Sequence, residues 1–66
     1  MNIIRKDGYP MPKDPVMLLS YVNTLLRDHY DSLEDLCKGV GVPMNAISEK
    51  LSSIDYHYDR QQNQFI

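Results

Sequence analysis

The sequence CKGVGVPMNAISEKL places Gly41 between two short segments whose apolar residues recur at helical spacing. Two helices that cross steeply through a short turn need a small residue at their contact and a residue of positive φ in the turn. Cys37 and Gly41 meet these two needs, and Val42 follows as an apolar side chain that can fill the junction. Six residues after the glycine, Ile47 is spaced to point back at the first helix, and Leu51 extends the same apolar wedge. The spacing predicts two crossed helices with a sharp turn at Gly41.

An earlier helix is predicted from Pro15 to about His29. Asp14 is placed as its N-cap, and a proline suits the first helical position because its missing N–H costs no hydrogen bond there. The apolar residues of this segment cover more than half of the helical circumference, which is wider than a surface helix needs. We therefore expect either a central helix packed on two sides or a helix whose outer stripe meets another chain. The apolar residues are Met17, Leu18, Leu19, Tyr21, Val22, Leu25 and Leu26.

The two crossed helices have start and stop signals of their own. Ser32 is placed to cap the first of the pair, with Asp35 in the capping-box position three residues later. Gly41 ends that helix, and Pro43 lies at or next to the start of the next one. This third helix is predicted over residues 44–53.

Beyond the third helix the apolar spacing changes from helical to alternating. The alternating residues are Ile54, Tyr56 and Tyr58 on one side and Asp55, His57 and Asp59 on the other. The polar stretch RQQN follows, and the chain ends on an apolar pair. This order predicts a two-stranded β-hairpin, with Tyr56 and Tyr58 covering the core and with Asp59 and Asn63 tolerating the turn.

Together these elements predict a mainly α fold: a three-helix helix-turn-helix domain with a C-terminal two-stranded β-hairpin, in a winged-helix-like order. The spacing from about Leu33 to Leu51 resembles the helix-turn-helix motif of bacterial repressors. Lys50 departs from that pattern, because many such motifs keep an apolar residue near the end of the second helix.

Sixty-six residues allow one small domain, which we place at residues 14–66. Residues 1–13 contain Gly8, Pro10 and Pro12 and are predicted to form an extended N-terminal arm. The single cysteine cannot form an internal disulfide, and no apolar run reaches the length of a membrane span or of a signal peptide core. We therefore expect a cytoplasmic protein that does not associate with membranes.

Several longer stretches carry a more particular resemblance. PKDPVMLLSYVNTLLRD, SLEDLC, EKLSSIDYHYD and NQFI resemble the small bacterial family catalogued as domain of unknown function 4250. The similarity extends from about Pro12 to the C-terminus, and the Pro-Lys-Asp-Pro opening and the Tyr-x-Tyr-Asp…Asn-x-Phe ending carry most of its specificity. Because that family has no established activity, the resemblance implies a self-contained small domain and supplies no reaction, ligand or catalytic residue.

The charge distribution bears on whether the third helix reads DNA. If that helix entered a major groove, Asn45 could pair with adenine, Ser48 or Glu49 could reach a base edge, and Lys50 could hold a phosphate. Arg60 in the wing could add a phosphate contact, as could the cations of the arm, Arg5, Lys6 and Lys13. Nucleic-acid modules normally carry a basic face, however, and this chain has a net charge of −2. We therefore favour the interpretation that these helix residues form a solvated surface.

Catalytic, metal and cofactor sites are not indicated by the remaining residues. His29 and His57 are far apart in sequence, and neither has a partner at metal-ligand spacing. Asp55, His57 and Asp59 could hold a metal weakly, but we interpret them as the solvated face of the hairpin. Cys37 is most simply a small buried apolar residue. We predict no enzyme activity, no cofactor and no small-molecule substrate.

These observations lead to two functional hypotheses. The first is a non-catalytic interaction module that acts through protein contacts or self-association, because the first helix has a wide apolar arc and the chain lacks a basic surface. The alternative is a small DNA-binding transcriptional regulator that uses residues 44–53 and the wing. A third hypothesis, that the chain is an enzyme or a metal protein, is supported only by His57 and the aspartates on either side of it.

Overall fold

The computed structural model describes residues 11–66, and it confirms three helices followed by a C-terminal antiparallel hairpin. The elements are α1 (Pro15–Asp28), α2 (Leu33–Val40), α3 (Met44–Ser52), β1 (Tyr58–Asp59) and β2 (Gln64–Phe65). Both α1 and α3 end one residue before the predicted position. Residues 1–10 of the predicted arm lie outside the described residues, whereas Met11 packs against the core. No helix in residues 11–66 has both the length and the apolar character that a bilayer span requires.

The turn between α2 and α3 has the predicted geometry. Gly41 has φ 79° and ψ 36°, which is the left-handed region that residues with a Cβ enter at a cost. The carbonyl oxygen of Cys37 accepts hydrogen bonds from the N–H groups of Gly41 and Val42, at 2.8 and 3.1 Å. These bonds close the last turn of α2 and redirect the chain. As a result, Cys37 and Ile47 are both buried in one apolar cluster.

The two predicted N-caps differ in how they form. The Ser32 hydroxyl oxygen accepts the Asp35 N–H at 3.1 Å, which confirms the cap of α2. Asp14 occupies the predicted N-cap position of α1, but its side chain does not bond the free N–H groups there, as an aspartate N-cap was expected to do. Its carbonyl oxygen instead accepts the Leu18 N–H at 2.8 Å, and Pro15 supplies a preset φ at the first helical position.

The core is a single apolar cluster to which every helix and β2 contribute. Its buried members are Leu18, Val22, Leu26, Leu33, Leu36, Cys37, Ile47, Leu51 and Phe65. The wide apolar arc of α1 is divided between the core and the surface. Leu19, Tyr21 and Leu25 pack partly against the cluster, whereas Val16 and Met17 remain largely exposed.

The hairpin begins later than predicted. The chain after α3 continues in a turn through Asp55, whose φ of 66° is left-handed, and the Tyr56 N–H donates to the Leu51 carbonyl oxygen at 2.9 Å. Aspartate tolerates this conformation better than most residues. The alternation of apolar and polar residues at Ile54, Asp55 and Tyr56 therefore belongs to a turn that ends α3, and not to a strand. Tyr56 is consequently exposed, and its predicted place over the core is wrong. Tyr58, partly buried, and Phe65, fully buried, cover the core instead.

The strand register places Tyr58 opposite Phe65 and Asp59 opposite Gln64. Just beyond these pairs, His57 and Ile66 exchange two backbone hydrogen bonds of 3.0 and 2.9 Å. The rings of Tyr58 and Phe65 pack with their centroids 5.6 Å apart. Asn63, with φ 53°, takes a left-handed conformation in the turn, as predicted for its residue type.

Replacing Gly41 with alanine should lower the free energy of unfolding by about 1–2 kcal/mol, because a Cβ disfavours the left-handed conformation. Urea denaturation monitored by circular dichroism measures this loss. Gly41→Asn is the matched control and should lose less, since asparagine enters this region more readily. Equal stability of the parent chain and Gly41→Ala would show that the turn does not require the glycine conformation.

Candidate partner-binding surfaces

The residues predicted to face a partner on α3 are partly accessible. Asn45 and Glu49 are exposed, while Ser48 and Lys50 are half-buried. Within the described part of the chain, the side chains of Asn45 and Glu49 have no hydrogen-bond partner. The helix therefore presents a polar face with one acid and one partly covered cation, and its role in binding stays a prediction.

Arg60 is tied to α2. Its Nη2 atom lies 2.8 Å from Oε2 of Glu34, and both side chains are largely open to solvent. The backbone N–H of Glu34 itself, and then Arg60, hold the pKa of the Glu34 carboxyl below its usual value. An exposed pair of this kind contributes little stability. The Glu34 carboxylate nevertheless partly compensates the positive charge of Arg60, which the DNA hypothesis assigned to a phosphate contact.

Basic surface is scarce in the described residues, which carry five cations against eight acids. Besides Arg60, the guanidinium of Arg27 is engaged in two hydrogen bonds with the Asp28 carboxylate, of 2.9 and 3.0 Å. Arg27 thereby holds the pKa of Asp28 below its ordinary value. Three lysines remain, one before α1, one on α2 and one on α3: Lys13, Lys38 and Lys50. The two remaining cations of the arm, Arg5 and Lys6, lie outside the described residues.

The residues considered as metal ligands or as a nucleophile do not form a cluster in residues 11–66. No group of three His, Cys, Asp or Glu side chains with metal-binding geometry occurs within residues 11–66. Asp55 lies in the turn and only Asp59 lies in β1, so the alternation of acids about His57 does not form one strand face. Cys37 is buried, and this burial raises the pKa of its thiol above the usual value. A raised thiol pKa leaves little nucleophilic thiolate at neutral pH.

Asn23 on α1 binds the hairpin through its side-chain amide, which sequence reasoning did not single out. Its Oδ1 atom accepts the Phe65 N–H at 2.8 Å, and its Nδ2 donates to the Phe65 carbonyl oxygen at 3.1 Å. The amide therefore bonds both backbone groups of one residue, as a neighbouring strand would. This pairing fixes β2 against α1 and brings Phe65 into the core.

A second amide, that of Asn63, joins the hairpin turn to the end of α1. Its Nδ2 donates to the carbonyl oxygens of Leu26 and Tyr30 at 3.0 and 2.9 Å, and its Oδ1 accepts the Tyr58 hydroxyl at 2.6 Å. The Tyr58 oxygen also accepts the Leu33 N–H, at 3.3 Å, from the first turn of α2. One polar side chain thus links the hairpin to the chain segment that connects α1 and α2.

The Tyr30 ring is held from another direction by α2. It lies so close to Gly39 that a methyl group added to this glycine would overlap the ring. A side chain at position 39 would therefore have to displace the outer end of the Tyr30 ring. With its carbonyl bound to Asn63 and its ring resting on Gly39, Tyr30 fixes the connection between α1 and α2.

An open polar cleft of about 520 Å³ lies where the outer face of α1 meets the hairpin turn. Apart from Leu26 its lining is polar, and Asn23 and Asn63 form part of its wall, so the residues that hold the hairpin also shape the cleft. The lining residues are Ser20, Asn23, Thr24, Leu26, Arg27, Gln62, Asn63 and Gln64.

Apolar side chains on the surface are the remaining candidates for partner contact. Val16 and Met17 are neighbours at the start of α1 and are 62% and 61% exposed. Met44 opens α3, Tyr56 precedes β1 and Ile66 follows β2, and each is also exposed. These side chains lie outside the apolar cluster that residues 11–66 form, and no other part of that described range covers them.

Comparison with known proteins identifies the family of this chain. A family model described as Domain of unknown function (DUF4250) matches residues 12–65, nearly the whole chain. No curated protein and no solved structure matches the chain.

Replacing Asn63 with aspartate should lower the free energy of unfolding by about 2–3 kcal/mol, because a carboxylate would face the carbonyl oxygens of Leu26 and Tyr30 without a donor. The change keeps the size of the side chain and its tolerance of the left-handed backbone. Urea denaturation at neutral pH measures the loss. Asn45→Asp makes the same chemical change at an exposed position and should stay within about 0.5 kcal/mol of the parent. Similar losses for both variants would contradict the assigned hydrogen bonds.

Proposed function

Since this chain belongs to the DUF4250 family of domains of unknown function, we propose that it is a non-catalytic interaction module with a helix-turn-helix-like core, acting through protein contacts or self-association. The observation that carries this proposal is the set of large apolar side chains left on the surface of a closed core, above all Val16 and Met17. Full burial of such a side chain contributes about 1.5–3 kcal/mol. A partner that covered these positions would gain that energy without disturbing the fold.

The electrostatic character of the domain also favours a protein partner. Phosphate neutralisation by lysine and arginine supplies essentially all non-specific affinity for nucleic acid. In the described residues the acids outnumber the cations, and two of the cations are already paired with carboxylates. A protein surface makes no comparable demand for positive charge, because interfaces between proteins are no more charged than the rest of the surface.

A small DNA-binding regulator remains the second candidate, favoured by one observation on α3. The turn at Gly41 leaves the first turn of this helix open, with Asn45 exposed and without a hydrogen-bond partner among the described residues. Asparagine can bond an adenine edge in the major groove with both atoms of its amide. Lys50 would then hold a phosphate.

Sedimentation equilibrium of the full chain, from micromolar to millimolar concentration, tests the self-association branch of the proposal. The expected result is an average mass that rises from one chain towards two. A mass that stays at one chain throughout this range would contradict self-association and leave contact with a different protein as the remaining form of the proposal.

A mobility-shift assay with duplex DNA at low and high salt tests the second candidate. DNA binding predicts an affinity that falls steeply with salt and that Asn45→Ala and Lys50→Ala both weaken. Lys38→Ala removes a lysine from α2 and is the matched control, with no expected effect on base recognition. Absence of any shift at low salt would contradict this candidate.

A further inference from the structure

The two outer edges of the hairpin can be assigned from its hydrogen bonds. Residue pairs along an antiparallel ladder alternate between those that exchange hydrogen bonds and those that do not. His57 and Ile66 exchange both bonds, so the next pair, Tyr58 and Phe65, does not. The N–H and C=O groups of Tyr58 and Phe65 therefore point away from the hairpin, Phe65 towards the outer edge of β2 and Tyr58 towards the outer edge of β1.

These two edges differ in whether they are occupied. On the β2 side, the Asn23 amide satisfies both backbone groups of Phe65. On the β1 side, the backbone N–H and C=O of Tyr58 have no hydrogen-bond partner in residues 11–66. An unpaired strand edge is a template for a strand from another chain. The structure thus protects one edge of its hairpin and leaves the other open.

We propose that the β1 edge pairs with the β1 edge of a second copy of this chain, antiparallel and about a two-fold axis at Tyr58. The result is a four-stranded sheet in which each β2 strand remains covered by its own α1. This inference rests on the proposed function, which includes self-association. It adds that the β1 edge is the contact surface and that a second copy of this chain is the partner. A symmetric contact of this kind uses the same residues on both chains, as two-fold interfaces do.

Donor and acceptor complementarity between side chains identifies the second copy as the occupant. With Tyr58 opposite Tyr58 of the other chain, His57 stands opposite Asp59 of the second copy, and symmetry makes this contact twice. Opposed side chains of a non-hydrogen-bonded pair are close, and an N–H of the His57 imidazole can donate there to the Asp59 carboxylate. Both side chains lie on the strand face opposite to Tyr58, away from the core, with His57 exposed and Asp59 half-buried.

The neighbouring pair in the same register is also compatible. Tyr56 stands opposite Arg60 of the second copy, and both side chains are exposed, with the Arg60 guanidinium also bonded to Glu34 of its own chain. A guanidinium near a tyrosine ring is a favourable contact. Shifting the register by two residues in one direction would oppose Asp59 to Asp59 of the other chain, and in the other direction His57 to His57. The first alternative opposes two carboxylates, and the second leaves both Asp59 carboxylates without the His57 donor, so the register centred on Tyr58 is favoured.

The expected dimer is weak, because the paired segment is only a few residues long. Small interfaces of this kind belong to the transient class of protein contacts. The experiments accordingly use the full chain at concentrations up to the millimolar range.

Amide hydrogen exchange followed by NMR tests which edge is used. The Tyr58 amide should exchange rapidly in dilute samples and become protected as dimer forms, while the Phe65 amide, bonded to Asn23, stays protected at every concentration. Dimerisation without protection of Tyr58 overturns this inference and leaves the proposed function standing. A chain that remains monomeric overturns both this inference and self-association. Protection of Tyr58 at every dilution would show that a single chain covers the edge, which also overturns the inference.

Two charge variants test the register. His57→Asp opposes carboxylates to carboxylates and should raise the dimer dissociation constant about tenfold. Asp59→Lys alone should also weaken the dimer. An equimolar mixture of the two variants should restore association, because the aspartate introduced at one site then faces the lysine introduced at the other. Thermal unfolding of each variant checks that its fold is retained. A mixture that associates no more tightly than either variant alone overturns the register.

Discussion

Two side-chain amides, those of Asn23 and Asn63, hold the hairpin onto α1, and much of the domain depends on that attachment. An isolated two-stranded hairpin is marginal in water, and here each strand is only two residues long. Asn23 bonds both backbone groups of Phe65, and Asn63 bonds the carbonyl oxygens at the end of α1. These bonds place Phe65 in the core, where the residue is 2% exposed. The hairpin is therefore part of the core.

The same attachment determines which surfaces are left for a partner. Because Asn23 occupies the outer edge of β2, the free backbone groups of the hairpin lie at Tyr58 on β1. Because Asn63 brings the turn against α1, the polar cleft forms between them. Because Arg60 bonds Glu34 on α2, its charge is partly compensated. Among the described residues, the remaining surface carries more acids than cations, exposed apolar side chains and an open strand edge, which is the combination that supports our proposal of a protein partner.

The parts of the fold that depend on local signals could be predicted from the sequence. Gly41 and Ser32 act on residues within one helical turn, and the spacing of Cys37 and Ile47 follows directly from helix geometry. The start of the hairpin could not be predicted in the same way, because it depends on the backbone conformation of Asp55. The alternation at Ile54, Asp55 and Tyr56 is the same whether the chain is extended or turns at a left-handed aspartate, so periodicity could not distinguish these structures.

The bonds that attach the hairpin, from Asn23 to Phe65 and from Asn63 to Leu26 and Tyr30, join residues between 33 and 42 positions apart, and no spacing rule connects them. The Asn-x-Phe ending carries part of the family resemblance, but only the three-dimensional structure shows that it attaches the hairpin to the rest of the domain. The same applies to the surface. Helical periodicity gave the wide apolar arc of α1, but the packing of its neighbours decided that Val16 and Met17 stay exposed while Leu19 and Leu25 are partly covered.

Native-state hydrogen exchange of the Phe65 amide, compared with that of Leu26 in α1, is the most direct test of whether the hairpin belongs to the core. If the side-chain amides of Asn23 and Asn63 make the hairpin part of the core, the backbone amide protons of Phe65 and Leu26 both exchange through global unfolding and report the same opening free energy. Exchange of the Phe65 proton through a local opening of much lower free energy, while Leu26 remains protected, would contradict this. The hairpin would then be a loosely attached appendage of a three-helix core.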